Sequence, residues 1–158
     1  MDAFAFLTDL FDGVPAALQV LIIFAVGIVP FLESYLGTFL GTITGLHVGV
    51  AAGAAIAGNL VALAVAVVLG GKLARRRERN RAEPPSARQQ KVLARVDRWG
   101  VPVASVLAPS LLAISLTAFI MVSAGLDRRR VVVWQVVAVV LWGALFGALG
   151  LGVVSITA

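Results

Sequence analysis

Two kinds of segment alternate along the chain. Long apolar stretches cover residues 15–71, 99–126 and 131–158, and short charged ones separate them at 72–98 and 127–130. Inside the apolar stretches, polar side chains do not recur at the 3.6-residue spacing of an amphipathic helix. Nor do "NLVALAVAVVLGG" and "RVVVWQVVAVVLWGALFG" alternate as the strands of a membrane barrel would. Segments that are apolar on every side are expected as helices in lipid, where the backbone must bond within each segment, so the β-branched valines are no obstacle. The pattern predicts an all-α integral membrane protein. About 20 helical residues cross the ~30 Å hydrocarbon core. The first stretch is too long for one crossing, with ~85 Å of helix at ~1.5 Å per residue. Pro30, Gly37, Gly41 and Gly45 interrupt it before a cleaner run from His47 to Gly71. In residues 1–14, Phe4, Leu7 and Phe11 share one helical face and Asp2, Asp9 and Asp12 lie off it, which predicts an interfacial segment.

The same order of signals occurs twice. Pro30-Phe-Leu leads to Thr38, then Gly45-Leu46, then a long apolar run; Pro109-Ser-Leu leads to Thr117, then Gly125-Leu126, then a long apolar run. Proline to threonine is eight residues in both, and proline to glycine is 15 in one and 16 in the other. This predicts one membrane domain over 1–158 built from two repeats, 15–71 and 99–158, joined by the basic stretch 72–98. Basic clusters flank 99–126 on both sides, so two topologies compete. In one, the segment enters from the cytoplasm and returns there, turning near Pro109, ten residues past Trp99 and so ~15 Å deep, about the midplane. In the other it crosses once and leaves Arg128, Arg129 and Arg130 outside. On the first reading, residues 15–45 form a matching hairpin from the outer face. The fold is then an inverted repeat of re-entrant hairpin plus transmembrane helix, an arrangement found in secondary transporters.

Charge sharpens the orientation. Charged residues are only 13% of the chain and the mean hydropathy is +1.00, yet residues 72–98 hold ten Lys/Arg against three acids. A pI near 11.1 would point to nucleic acid in a soluble protein. Here the basic residues gather in one stretch without interleaved aromatics, so no nucleic-acid partner is expected and the positive-inside rule puts 72–98 in the cytoplasm. Arg75, Arg76, Arg77, Arg128, Arg129 and Arg130 are then candidates for lipid headgroup contacts. Pro84 and Pro85 break the basic stretch, and "ARQQKVLARVDRWG" reads as a helix lying on the membrane. The acidic first residues are no secretory signal and are expected outside. Cysteine is absent, which removes thiol chemistry.

Glu33 is the one charged residue between Asp12 and Lys72. An acid at the centre of a bilayer helix costs roughly 3 kcal/mol on insertion scales. Removal from water penalises the charged form of a carboxyl, which lets such a group bind and release a proton. The structural alternative is an acid near an interface, or one bonded to amides at a broken helix end. Pro30, Ser34, Tyr35, Thr38 and Asn59 in the first repeat, and Pro109, Ser110 and Thr117 in the second, are candidates to line a polar path with it. Hydroxyls of this kind also bond their own helix backbone. Gly49-x-x-x-Gly53 and Gly143-x-x-x-Gly147 are close-packing patterns, for the hairpins or a second subunit. His47 reads as an interfacial histidine rather than a proton relay. No enzyme constellation is present, and no cofactor or metal is expected.

The residues "PFLESYLGTFLGTITGL", the "GN" of the next helix, the basic stretch and "RWGVPVASVLAPSLLA" through "AGLDRRRVVVWQVVAVVLWG" resemble the small multidrug export family. More distantly they resemble the DedA (SNARE-associated, VTT) membrane proteins. The likeness covers residues 20–152 and implies a small transporter with two re-entrant hairpins. Glu33 matches the acid of the family's first hairpin, Asn59 the asparagine of "GN", and Pro109 the proline of the second hairpin. Where DedA proteins bracket that proline with arginines, this chain has Leu112 and apolar neighbours. The expected function is a small proton-coupled exporter of the cytoplasmic membrane, working as a homodimer on a small-molecule substrate with Glu33 as coupling acid. The alternatives are a DedA-like lipid flippase or scramblase and a non-transporting membrane assembly subunit.

Overall fold

The computed structural model describes residues 11–79, 86–110 and 112–157; the side chains of Arg77, Glu78, Arg88, Ser110 and Thr157 lie outside that description. The interfacial segment expected at 1–14 therefore falls almost wholly outside it, as do Pro84 and Pro85. The described residues are helical without strands: α1 (Ala16–Ile28), α2 (Glu33–Ile43), α3 (Val48–Arg79), α4 (Ala87–Val106), a 3-10 turn (Ala108–Ser110), α5 (Ile114–Ser123) and α6 (Arg128–Thr157).

Two helices are long and apolar enough to cross a membrane, Val48–Arg76 and Arg128–Ile156. Each has 29 residues, or ~44 Å of helix against a ~30 Å core. Their outer faces expose Val61, Val65, Val68 and Leu69 on α3, and Val133, Val137, Leu141, Leu145 and Leu149 on α6. Large contiguous apolar faces of this kind are rare on soluble monomers.

The chain's own punctuation sets the helix ends. Pro30 disfavours helical backbone at the residue before it, and Val29 accordingly caps α1 in an extended conformation (φ −71°, ψ 122°). Helix α2 closes on Gly45, at φ +95°, where Gly45 N–H donates to Thr42 O (3.3 Å) and Leu46 N–H to Gly41 O (3.0 Å). Helix α5 closes the same way on Gly125, at φ +87°, with Gly125 N–H to Val122 O (3.1 Å) and Leu126 N–H to Met121 O (3.2 Å). These are paired helix-ending bonds that need a left-handed residue, hence glycine. The next helix then starts two residues on. His47 Nδ1 accepts from Gly49 N–H (3.2 Å) ahead of α3, and Asp127 Oδ1 accepts from Arg130 N–H (2.7 Å) ahead of α6.

The glycine caps, the side-chain caps and the starts of the long helices recur at a spacing of 80. Every buried residue in 33–70 also has a buried counterpart 80 positions later. The prolines, 79 apart, suggest Leu112 as the partner of Glu33; the caps and the burial pattern assign Ala113 instead. One extra residue between the second proline and its glycine accounts for the shift.

The chain divides into two compact units, Met1–Leu60 with Val139–Ala158, and Val61–Ala138. In the first, α2 packs through small residues. A Cβ at Gly37 would lie 2.9 Å from the Ala55 methyl, and one at Gly41 would lie 2.7 Å from that of Ala51. On α6, Gly147 and Gly150 face Thr38 and Thr42, where added carbons would meet side-chain atoms at 3.2 and 3.0 Å. Gly27 and Gly58 bring the α1 and α3 backbones together, so that a Cβ on either would strike the carbonyl of Ala55 or of Phe24. Gly143 and Gly147 thus serve packing within the chain. The Gly49/Gly53 pattern does not: a Cβ at Gly53 meets nothing within 4 Å, and one at Gly49 meets only the His47 ring.

In the second unit, the basic stretch expected as a loop is helical on both flanks. Helix α3 runs on to Arg79 because Lys, Leu, Ala, Arg and Glu are good helix formers and nothing in them stops it. Helix α4 opens with a capping box, Ser86 accepting from Gln89 N–H while Gln89 Oε1 accepts from Ser86 N–H. It kinks at Gly100 (φ 77°, ψ 168°), which separates the expected surface helix, 87–99, from the apolar piece that follows. Pro102 falls in the first turn of that piece, where its missing N–H costs no helical bond.

Candidate functional site

The break between α1 and α2 is a tight turn. Leu32 N–H and Glu33 N–H both donate to Val29 O, at 3.2 and 3.0 Å, and Pro30 is exposed at the bend. Phe31 (φ +73°) and Glu33 (φ +48°) hold left-handed backbone conformations, each costing about 1 kcal/mol or more for residues other than glycine. Strain of this size persists only where surrounding packing over-determines it. Glu33 is the first residue of α2 and is wholly buried. At that end of a helix, unpaired N–H groups and the macrodipole favour a negative charge, which offsets part of the cost of burial.

Four further polar side chains lie buried with it in this unit, Ser34, Thr38, Thr42 and Asn59. Ser34 Oγ donates to Val139 O at 2.9 Å, and Asn59 Nδ2 donates to Ser34 Oγ at 3.3 Å. The serine hydroxyl therefore gives one bond and takes one. Asn59 Oδ1 and Thr38 Oγ1 are buried without a hydrogen-bond partner. Buried polar atoms are nearly always paired, so two orphans in one unit stand out. Thr42 is not part of this, since its hydroxyl bonds back to Thr38 O at 2.8 Å within the helix. Tyr35 serves packing: its hydroxyl donates to Phe31 O at 2.6 Å, and its ring meets Phe146 and Trp142 edge-on, with centroids 5.3 and 6.2 Å apart. Of the residues expected around Glu33, the unit gathers Ser34, Thr38 and Asn59, and Pro30 makes the turn.

The other unit buries polar groups as well, with no buried acid among its described residues. Pro109 sits in the 3-10 turn, and Ser110 beside it lies outside the described side chains. Thr117 is buried, and its Oγ1 has no partner; the same holds for Ser105 Oγ and Gln135 Oε1. Gln135 Nε2 reaches only the Met121 sulfur, at 3.9 Å. Sequence reasoning passed over Gln135, although a lone amide in "VVVWQVVAVV" was a readable signal.

The arginines behave as helix-end charges. Arg75 and Arg76 are exposed near the end of α3, and the side chain of Arg77 is outside the description. Arg128, Arg129 and Arg130 are exposed in the first turn of α6, where cations oppose the helix dipole. Helix stability therefore does not explain them. His47 is a helix cap, in keeping with a structural rather than a relay role.

Chemically, the first group is one carboxyl buried at a strained turn, in a unit that also buries hydroxyl and amide groups. That set suits binding and releasing a proton with a change in hydrogen bonding around it. No family model matches the chain, and no curated protein or solved structure matches it either.

Proposed function

We propose that the chain is a multi-pass protein of the cytoplasmic membrane and a proton-coupled secondary transporter, with Glu33 as the coupling acid. The observation that carries this reading is the complete burial of Glu33 at a strained helix break, in a unit that also buries two unpaired polar atoms. An acid kept in such a place costs stability and is best explained by use. The topology rests on charge. Lysine and arginines gather where α3 ends and where α6 begins, so both of those ends lie in the cytoplasm. The two spanning helices then run in opposite directions, and the segment between them leaves from and returns to one face as a re-entrant hairpin. The first hairpin enters from the other face, which makes the halves inverted copies. Two spanning helices give little wall around a pathway, so the working form is a homo-oligomer.

Liposomes containing the wild-type protein or Glu33→Gln would be given a pH gradient and assayed for uptake of a lipophilic organic cation and for movement of a labelled lipid headgroup. Glutamine keeps the shape of the side chain and removes its titration. The expected result is gradient-driven uptake in the wild type and at least a ~10-fold loss in the variant. Equal uptake by both proteins would remove Glu33 from coupling. Headgroup movement without cation uptake would replace the exporter by a lipid flippase.

A further inference from the structure

We propose that Thr117 and Gln135 form a buried binding site for one uncharged hydroxyl-type ligand, a water molecule, between the second hairpin helix and the long helix that follows it. Both residues belong to the unit Val61–Ala138, Thr117 on α5 and Gln135 on α6. Gln135 is wholly buried, and its Oε1 has no hydrogen-bond partner among the described residues. Its Nε2 reaches only the Met121 sulfur, 3.9 Å away, which is a weak acceptor. That contact lays the glutamine on the face of α5 that carries Met121. Thr117 stands one turn before Met121 on the same face. It is 3% exposed, and its Oγ1 has no partner either. A threonine in a helix can bond back to its own backbone, as Thr42 does, but Thr117 does not.

The repeat brings the same two positions together. Their counterparts 80 residues earlier are Gly37 and Ala55, where a Cβ on the glycine would lie 2.9 Å from the alanine methyl. Other contacts of the hairpin helices recur at this spacing. A Cβ at Gly70 would meet Phe119 O and the Val122 Cβ at 2.9 and 3.2 Å, and one at Gly150 would meet Phe39 O and the Thr42 Cβ at 3.5 and 3.0 Å. Two real side chains cannot share the spacing of Gly37 and Ala55, so threonine and glutamine hold α5 and α6 farther apart at this point than α2 and α3. Leaving a buried amide and a buried hydroxyl unpaired is costly, and the chemistry of the pair selects what relieves the cost. Gln135 Oε1 only accepts, so the ligand must carry a donor. No charged side chain is buried among the described residues of this unit, so nothing there balances a metal ion or an ammonium group. Water meets both demands: it donates to Gln135 Oε1 and accepts from the Thr117 hydroxyl, and two polar partners are enough to hold a buried water. The inference does not rest on Glu33 or on coupling.

Full-length protein labelled with 15N-glutamine would be studied in detergent by nuclear magnetic resonance, with water itself as the probe. The Gln135 side-chain amide is assigned by its absence in Gln135→Met. The expected result is magnetisation transfer from water to this amide in the wild type and its loss in Thr117→Val. The wild-type measurement needs no variant to fold. Thermal unfolding of Thr117→Val, Gln135→Met and the double variant gives an independent reading. Each single change should lower the midpoint by about 2–4 °C, and the double variant should fall no further than the weaker single one, because one water is lost once. Higher midpoints in both single variants would mean that each removes an oxygen with nothing bound to it, and would overturn the proposal. So would a wild-type amide that receives no transfer from water, even with coupled midpoints, since the two side chains would then bond directly.

Discussion

Residues 33–70 and 113–150 share a backbone plan and differ in what they place on it. Both begin with a short buried helix, end it on a left-handed glycine and start a long helix from a side-chain cap, and every position buried in the first is buried 80 residues on in the second. The chemistry at matched positions is unlike. Glu33 corresponds to Ala113, Asn59 to Val139, and Ala55 to Gln135. The helix surfaces differ too, since Gly143 and Gly147 stand where α3 has Leu63 and Val67. The comparison separates scaffold from site. Caps and burial recur in both segments, while the acid and the buried asparagine occur in the first alone. A carboxyl demanded by the fold would be expected in both.

The largest expected effect tests whether equivalent positions are packed alike. Gly58→Ala would drive a methyl into the Phe24 carbonyl and should cost about 3 kcal/mol in surfactant unfolding. Its counterpart Ala138 already carries a methyl, and Ala138→Gly should cost only about 1 kcal/mol, mostly helix propensity. Equal losses would mean that α1 and α3 do not touch at Gly58. The caps give a smaller contrast. Asp127→Ala should cost about 1 kcal/mol, because a carboxylate at 2.7 Å also complements the start of α6. His47→Ala should cost about half as much, since its cap is a longer bond, 3.2 Å, to a ring nitrogen. The same unfolding assay checks both, and a larger loss at His47 would reverse the ranking.

Much of this plan was legible in the residues. Pro30, Gly45, Pro109 and Gly125 announced the breaks, and the uncharged runs announced the two long helices, because backbone punctuation and hydropathy are local properties. The end of α3 was not, since a dense basic stretch reads as a loop although its residues favour helix up to the prolines. The start of α4 was readable in Ser86-x-x-Gln89. The register was misjudged by one residue because prolines mark where a turn begins, while the glycine cap fixes which face each later residue presents. Within the site, Glu33 was singled out by its charge alone, and its complete burial came from the fold. Its company did not: Tyr35 is as close in sequence as Ser34, yet it packs among aromatics, and only the fold brings Asn59 to Ser34. Thr117 was a candidate from the sequence and Gln135 could have been, but that their oxygens are buried and unpaired needed the structure.

The comparison assumes that the two halves enter the membrane from opposite faces, and the chain is suited to a direct test because it contains no cysteine. Single cysteines at Ser86, Arg129 and Thr157 would be labelled with a membrane-impermeant maleimide from either face of oriented vesicles. The account predicts that Ser86→Cys and Arg129→Cys react only from the cytoplasmic face and Thr157→Cys only from the opposite one. Labelling of Arg129→Cys from outside alone would turn residues 99–126 into a single crossing and contradict the inverted repeat.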